Sequence, residues 1–220
     1  MISQTEENYL KTLFALTRVT GEASVNELSK QLNIKMPTVN SMMKRLAEKD
    51  LVIYESYKPL KLTAKGQHEA ALILRKHRLT EMFLVQKMGF GWEEVHPIAE
   101  QIEHIQSPAF FNKMDALLGF PKYDPHGSPI PDIYGVIEAD NYVKLSTCSV
   151  GQQVTFRAVG DSSEDFLRFL NQRDLALGST LTILGMEAFD RSMTVLYGDN
   201  IKETFSHLVC EKILIAHLSD

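Results

Sequence analysis

The spacing of apolar residues in the first fifty positions predicts three helices. The first carries apolar side chains at helical intervals: Tyr9, Leu10, Leu13, Phe14 and Leu16. Ser3 is suited to cap its start, and Gly21 is suited to end it. A second helix follows Ser24, where Glu27 completes a capping-box pattern. After a tight turn, residues 36–50 form a third apolar-periodic stretch, with a proline in its first turn.

A strand-like segment, LVIYESYKPLKLT, follows the third helix and predicts a short hairpin with a basic tip at residues 57–59. The order of helix, turn, helix and hairpin is typical of a winged helix-turn-helix. Its core is expected from the apolar positions Leu28, Leu32, Val39, Met43 and Leu46.

Further helices are predicted at 64–89, 93–106 and 109–118. The Pro/Gly-rich stretch GFPKYDPHGSPIPDIYG then excludes a helix. Beyond residue 144, the segments SVGQQVTFRAV, STLTILGM and SMTVLYG alternate as strands, with a short helix near 163–171. This pattern favours a small barrel-like β domain.

Composition favours a globular protein with no targeting leader and no apolar run long enough for a bilayer, so a cytoplasmic location is expected. The two cysteines, Cys148 and Cys210, belong to no metal-ligand spacing and are interpreted as core residues. The net charge is −5, yet residues 1–70 carry 10 basic against 8 acidic residues. Only this first third is suited to a polyanion.

One face of the third helix is polar or basic and has no role in the predicted core. We predict that it enters a DNA major groove, with the hairpin lysines on the phosphate backbone. The predicted DNA-binding residues are Pro37, Thr38, Asn40, Ser41, Lys44 and Arg45, with Lys58 and Lys61 from the hairpin. The alternative is a metal-independent winged-helix adaptor that binds protein through the same solvated face.

Imidazoles and carboxylates recur at helical spacing in the middle of the chain. If VHPIAEQIEHI is helical, His96, Glu100, Glu103 and His104 project into one neighbourhood. The pair His77 and Glu81 repeats this spacing on the preceding helix. A single pair is more simply a surface ion pair, but the repetition favours a metal site. Nitrogen and oxygen ligands without thiolate favour Mn²⁺ or Fe²⁺ over structural zinc.

These segments together resemble the diphtheria-toxin-repressor family of metal-dependent transcriptional regulators, which includes the manganese transport regulators. The resemblance covers nearly the whole chain and is carried by TEENYLKTL, LKLTAKG, KHRLTE, the VHxxAExxEH pattern and GSPIP. It implies a mostly helical protein with β structure. The implied domains are a winged helix-turn-helix at 1–63, a helical metal-binding and dimerisation domain at 64–140, and an SH3-like (FeoA-type) small β barrel at 141–220.

The resemblance also implies ligand sets. A primary site corresponds to Asn8, Glu100, Glu103 and His104. An ancillary site corresponds to His77, Glu81 and His96, completed by Asp161 or Glu164. In some manganese-type members, the second site instead corresponds to Glu81, Asp124, His126 and Asp161.

Three positions decide the expected metal. Asn8 stands where iron-type relatives tend to have Met and manganese-type ones Asp, so the site has lost either a soft ligand or a charge. Glu100 stands where iron-type members often have Cys, which favours a harder ion. Lys11 replaces an acid of the short manganese regulators, which argues against their paired-metal arrangement. Mn²⁺ is therefore expected first and Fe²⁺ second.

The resemblance implies a homodimer that represses metal-uptake genes by binding a palindromic double-stranded operator. We expect metal to fix an otherwise loose angle between the DNA-binding helices and the segment of Glu100 and Glu103, which repel each other without it. No membrane partner, small-molecule substrate or enzymatic activity is expected. A metalloenzyme is the weaker alternative, since no H-E-x-x-H order and no activated nucleophile occur.

Overall fold

The structure, a computed structural model, describes residues 2–217. Its chain contacts divide into two compact units. The first unit comprises residues 1–80, 99–122 and 130–138, and the second comprises 81–98, 123–129 and 139–220. The division falls within two helices, after Thr80 and before Ala99.

The first unit begins with the predicted winged helix-turn-helix. Its elements are α1 (Gln4–Thr20), α2 (Val25–Leu32), α3 (Met36–Glu48), β1 (Val52–Ile53) and β2 (Lys61–Leu62). The predicted capping box at Ser24 is present, and the predicted cap at Ser3 also forms a capping box. Each serine hydroxyl accepts from the backbone N–H of the glutamate three residues on, and each serine backbone N–H donates to that glutamate's carboxylate. The strands pair antiparallel, with Val52 opposite Leu62. The predicted order of elements is confirmed.

A continuous apolar core supports these helices. The predicted core residues Leu28, Val39, Met43 and Leu46 are fully buried, and Leu32 packs against them while partly exposed. Tyr9, Leu10 and Leu13 of α1 complete the same core. Helices α1 and α3 therefore share one apolar core.

The middle of the chain contains α4 (Ala64–Met88), α5 (His96–Ile102) and α6 (Pro108–Leu118). The prediction of a helix over 93–106 was wrong at both ends. A start at Glu93 would place the ring of Pro97 against the carbonyl four residues earlier, so the helix begins at His96 with Pro97 in its first turn. Glu103 and His104 lie in a turn after α5 rather than on it. Residues 119–135 contain no helix, as predicted.

The second unit is built on an antiparallel sheet. Its elements are β3 (Val143–Lys144), a 3₁₀ turn (Leu145–Thr147), β4 (Gln153–Val159), α7 (Glu164–Asn171), β5 (Thr180–Met186), β6 (Met193–Tyr197), β7 (Ile201–Phe205), α8 (His207–Lys212) and β8 (Ile213–His217). The strand order is β3-β8-β4-β5-β6-β7. The predicted strands and the short helix are confirmed, while β3, β7 and β8 were missed.

Alternate residues of β4, β5 and β6 point into the core of this sheet. Val154, Phe156, Leu181, Ile183 and Val195 are buried there. Cys148 and Cys210 are buried and free, as the sequence predicted. The fold class expected from the sequence is confirmed. Within residues 2–217, no helix combines the length and apolar character that crossing a bilayer requires.

Candidate metal centres and nucleic-acid interface

The first unit brings together His77 of α4 with Glu100 and Glu103, and we call this group the helix cluster. One ligand atom of each residue lies within 4.8 Å of the others. Nδ1 of His77 is 2.5 Å from Oε2 of Glu103 and 3.9 Å from Oε1 of Glu100. Lys11 of α1 bonds to Glu100 and lies 2.8 Å from the Glu103 carboxylate. Lys11 thus joins α1 to both carboxylates, a contact that the sequence did not predict.

Glu103 is completely buried at the centre of this cluster. Burial alone would raise the pKa of its carboxyl, but the hydrogen bond from His77 and the charge of Lys11 outweigh burial, so the pKa lies below its usual range. Glu103 is consequently an ionised buried carboxylate at neutral pH. Such a group requires cationic or metal partners in a protein interior.

His104 lies beside the helix cluster and is joined to α1. Its Nδ1 is 2.5 Å from Oε2 of Glu7, and its Nε2 is 3.8 Å from Oε1 of Glu103. Gln106 donates to the other oxygen of Glu7 at 2.7 Å. A carboxylate that accepts from one ring nitrogen leaves the second nitrogen available as a ligand.

The first-helix position Asn8 offers an oxygen suited to a metal. Its Oδ1 is buried and makes no hydrogen bond among the residues described. An unsatisfied buried oxygen is costly without a ligand. Asn8 is three residues before Lys11, so the two share a face of α1. The oxygen and nitrogen donors of Asn8 and the helix cluster, with no thiolate, therefore fit Mn²⁺ or Fe²⁺.

A second group in the second unit consists of Glu81, Asp124 and His126, which we call the loop cluster. All three are buried, and their ligand atoms lie within 4.8 Å of one another. Nδ1 of His126 is 3.5 Å from Oε2 of Glu81. Nδ1 of His96 lies 3.3 Å from the other oxygen of Glu81. The predicted residues of the loop-type second site thus meet, apart from Asp161.

Backbone interactions fix the loop of this cluster. Oδ1 of Asp124 accepts from the backbone of both His126 and Ser128 at 2.9 Å. The backbone oxygen of His126 accepts from Val159 of β4 at 3.0 Å. Gly127 between them has a φ of +84°, and a Cβ there would lie 2.0 Å from the backbone oxygen of Arg157. Only glycine fits this approach of the loop to β4.

The imidazole of His126 is held between two acceptors. Burial lowers its pKa, but Glu81, Asp124 and the backbone oxygen of Trp92 raise it by a larger amount, so the pKa lies above its usual value. Nε2 of His126 is 2.8 Å from that backbone oxygen. This bond leaves Nδ1 facing Glu81.

The two acids proposed to complete a second site have other partners. Asp161 bonds to Lys212 and accepts from the backbone of Ser163 at 2.8 Å. Its pKa lies below the usual value, because the Lys212 bond outweighs a burial that would raise it. Glu164 pairs with Arg168 one turn along α7 at 2.6 Å. Neither acid takes part in the groups of three or more close ligands found within residues 2–217.

The predicted DNA-binding face is accessible. All eight predicted residues except Asn40 are exposed, and Asn40 is partly exposed. Tyr54 donates to Asn40 at 3.3 Å, which orients its amide. Lys58 and Lys61 form ion pairs with Glu55 and Glu22.

Sequence reasoning missed several side chains around these sites. The contacts of Glu7 and Gln106 with His104 were not predicted, although Glu7 precedes Asn8 directly. Tyr57, fully exposed at the hairpin tip with a φ of +66°, was assigned only to the turn. The Lys49–Glu6 ion pair, at 2.7 Å between α3 and α1, was also missed. For this ion pair, the signal available in the sequence was the glutamate in the first turn of α1, Glu6.

A winged helix-turn-helix with an exposed polar recognition face, beside clustered imidazoles and carboxylates, defines a DNA-binding protein of the metal-responsive class. Comparison with known proteins supports this class. Residues 1–60 match the family described as iron-dependent repressor, N-terminal DNA binding domain. Residues 63–132 match the iron-dependent repressor, metal binding and dimerisation domain.

Individual relatives support the same class of protein. The iron-dependent repressor IdeR of Mycobacterium tuberculosis (strain H37Rv) is 33% identical over 160 residues, 68% of each chain. IdeR of Mycobacterium leprae is 33% identical over 129 residues, which cover 59% of this chain and 56% of that protein. A manganese-dependent transcriptional repressor solved in complex with manganese superposes with a TM-score of 0.88 at 29% identity, covering 97% of this chain and 100% of that one. This chain belongs to the iron-dependent repressor family of metal-dependent, DNA-binding transcriptional regulators.

Proposed function

We propose that this chain is a metal-activated repressor in which Mn²⁺ is the first choice of corepressor and Fe²⁺ the second. The observation that supports this most strongly is the position of α1. One helix belongs to the winged helix-turn-helix core and also carries Glu7 and Lys11, which contact His104, Glu100 and Glu103. A change at the carboxylates is thereby transmitted to the DNA-binding elements through packed, rigid structure.

The proposed primary ligands are Asn8, Glu100, Glu103 and His104, with His77 bonded to Glu103 as a supporting imidazole. When bound, the ion supplies a divalent charge that offsets the carboxylates and a coordination sphere that joins α1 to residues 100–104. Asn8 contributes its unsatisfied oxygen, and Glu7 orients the ring of His104. Linkage then requires that metal and operator tighten each other's binding, by about 1–3 kcal/mol in typical cases.

The proposed second site is the loop cluster of Glu81, Asp124 and His126. Its burial and the backbone bonds that hold Asp124 support a preformed site. His96, which contacts Glu81, is a further candidate ligand. Asp161 and Glu164 stay secondary candidates, because a ligand role for Asp161 requires it to give up its Lys212 bond.

We assign 1–63 to DNA binding, 64–140 to metal binding and dimerisation, and 141–220 to the SH3-like domain. Exposed apolar side chains at Ile105, Phe110, Leu117 and Phe120 support a homodimer surface on and around α6. A two-fold dimer presents two recognition helices to half-sites about 34 Å apart, so the operator is palindromic double-stranded DNA. Promoters of metal-uptake genes are the proposed targets, and the cytoplasm is the proposed location.

A gel-shift assay on palindromic operator DNA, with chelator and with Mn²⁺, tests this proposal. We expect Mn²⁺-dependent binding by the natural chain and its loss in Glu103→Ala and His104→Ala. Glu138→Ala, which removes an exposed acid that pairs with Lys122, is the control and should respond normally. Binding that persists after chelation, or no DNA binding in either condition, would contradict the proposal of a metal-activated repressor.

A further inference from the structure

Lys11 places its ammonium group at the two carboxylates that the proposed function assigns to the ion. Nζ bonds to Glu100 and lies 2.8 Å from the Glu103 carboxylate. The lysine side chain is only 15% exposed, whereas that of Lys122, in a surface pair with Glu138, is 71% exposed. Its contact with the fully buried Glu103 is therefore shielded from solvent, where the attraction between opposite charges is strongest.

We propose that Lys11 is a built-in competitor of the activating metal, a tethered cation that holds Glu100 and Glu103 together until the ion displaces it. This inference rests on the proposed function, because it concerns the same carboxylates. It assigns to Lys11 the role of setting the metal concentration at which the protein responds.

The charges of the cluster support competition rather than coexistence. Glu100 and Glu103 lie close enough to contact one ammonium, so they repel each other unless a cation lies between them. The lysine supplies one positive charge there, and a divalent ion would supply two. Because like charges at a shared, shielded position repel, each cation weakens the binding of the other.

The location of Lys11 on α1 gives the exchange a structural consequence. Lys11 and Asn8 share a face of this helix. In the metal-free chain the lysine connects α1 to Glu100 and Glu103, and in the loaded chain Asn8 would make the connection instead. On this proposal, binding of the ion must offset the free energy of the Lys11 contacts that it replaces.

Calorimetric titration of metal-free protein with Mn²⁺ tests the competition. The whole 220-residue chain with His126→Ala serves as the background, because this change removes the imidazole of the loop cluster and isolates one site. We expect Lys11→Met and Lys11→Gln to bind Mn²⁺ about tenfold more tightly than the background chain. Lys11→Arg, which keeps the charge, and Lys122→Met, which removes an exposed lysine, should stay within about twofold of it.

Equal or weaker Mn²⁺ binding by both neutral variants would overturn the inference while leaving the proposed function intact. Absence of Mn²⁺ binding by the background chain itself would instead contradict the proposed primary site. The two failures are therefore distinguishable.

A measurement on the natural chain keeps the test independent of how the neutral variants fold. Lysine side-chain nitrogen NMR follows the Lys11 ammonium signal, identified by its loss in Lys11→Arg, during titration with diamagnetic Zn²⁺. We expect the signal to shift or to broaden by exchange with solvent at saturation. An unchanged signal at full Zn²⁺ occupancy would overturn the inference.

Discussion

Oε2 of Glu7 lies 2.5 Å from Nδ1 of His104, so a carboxylate on α1 orients an imidazole that follows α5. An ionised carboxylate only accepts, and Nδ1 therefore carries the shared proton. Nε2, which lies 3.8 Å from Glu103, is left as the ring nitrogen that can bind a metal. In the proposed primary site, the ligand atom of His104 would thus be selected by the helix that belongs to the winged helix-turn-helix core.

Glu7→Ala should weaken Mn²⁺ binding by about tenfold, because loss of an outer carboxylate frees the ring and reduces its basicity. Isothermal titration of metal-free protein measures the effect. Glu138→Ala is the matched control on the surface of the same unit. Unchanged affinity in the Glu7 variant would show that His104 is not a ligand through Nε2.

His126→Ala should reduce the number of Mn²⁺ ions bound per chain by one, since it removes the imidazole of the loop cluster. Elemental analysis after equilibrium dialysis provides the count. Glu103→Ala should lose the other ion and retain this one. The same ion count in the His126 variant and the natural chain would contradict the second site.

Gly127→Ala should lower the free energy of unfolding of its domain by about 3 kcal/mol, because the new Cβ meets the backbone oxygen of Arg157. Gly151→Ala is the control, since its φ is +90° but a Cβ there meets nothing within 4 Å. We expect it to cost about 1 kcal/mol, the conformational part alone. Denaturant unfolding followed by circular dichroism measures both, and equal losses would exclude the predicted clash.

Glu6→Gln should destabilise the winged helix-turn-helix by about 1–3 kcal/mol at pH 7, because it removes a buried charge paired with Lys49 and Arg45. Burial raises the pKa of Glu6, but the bonds from Lys49 and Ser3 lower it by a larger amount. The pKa in the folded protein therefore lies below its usual value. The stability is therefore present above the unfolded pKa, about 4.5, and is lost as the pH falls through the folded one.

Chemical denaturation of the natural chain and the Glu6→Gln variant from pH 7 to pH 3 provides the measurement. The difference between them should be largest near neutrality and should shrink below pH 4.5. A difference that stays constant across this range would mean that the carboxylate charge contributes nothing.

Lys44→Ala should remove one phosphate contact. In the presence of Mn²⁺, it should therefore weaken binding by a similar factor for all DNA sequences. It should also reduce the slope of log affinity against log salt concentration by about 1. Fluorescence anisotropy at several salt concentrations gives the slope. Lys202→Ala, an exposed lysine of β7 in the second unit, should leave the slope unchanged. An identical slope for the Lys44 variant would place this residue away from the phosphates.

The sequence predicted the elements whose signals are local. The cap at Ser3, the capping box at Ser24 and the stop at Gly21 lie within a few residues of the helices they bound. The bounds of α5 were wrong because apolar spacing alone extended the helix through Pro97 and beyond Ile102. Strand β8 was missed because its apolar residues follow α8 without a turn, and its pairing with β4 is a long-range contact.

The same difference between local signals and long-range contacts applies to the candidate sites. Residue types and helical spacing pointed to the imidazoles and carboxylates of His77, Glu81, His96, Glu100, Glu103 and His104. Asn8 and the loop residues Asp124 and His126 were implied only by the family resemblance. The contacts of Lys11 and Glu7 with residues about ninety positions away depend on tertiary packing, which spacing along one helix does not encode. Lys11 was visible only as a departure from a family pattern, and its position at two carboxylates needed the structure.

The position of β8 between β3 and β4 also bears on how the second unit is made. During translation, β4 has no neighbour on that side until residues 213–217 have left the ribosome. Its unpaired edge is then open to chaperones, proteases or another nascent chain. Full assembly of this sheet is thus a late event of biosynthesis, later than that of the winged helix-turn-helix.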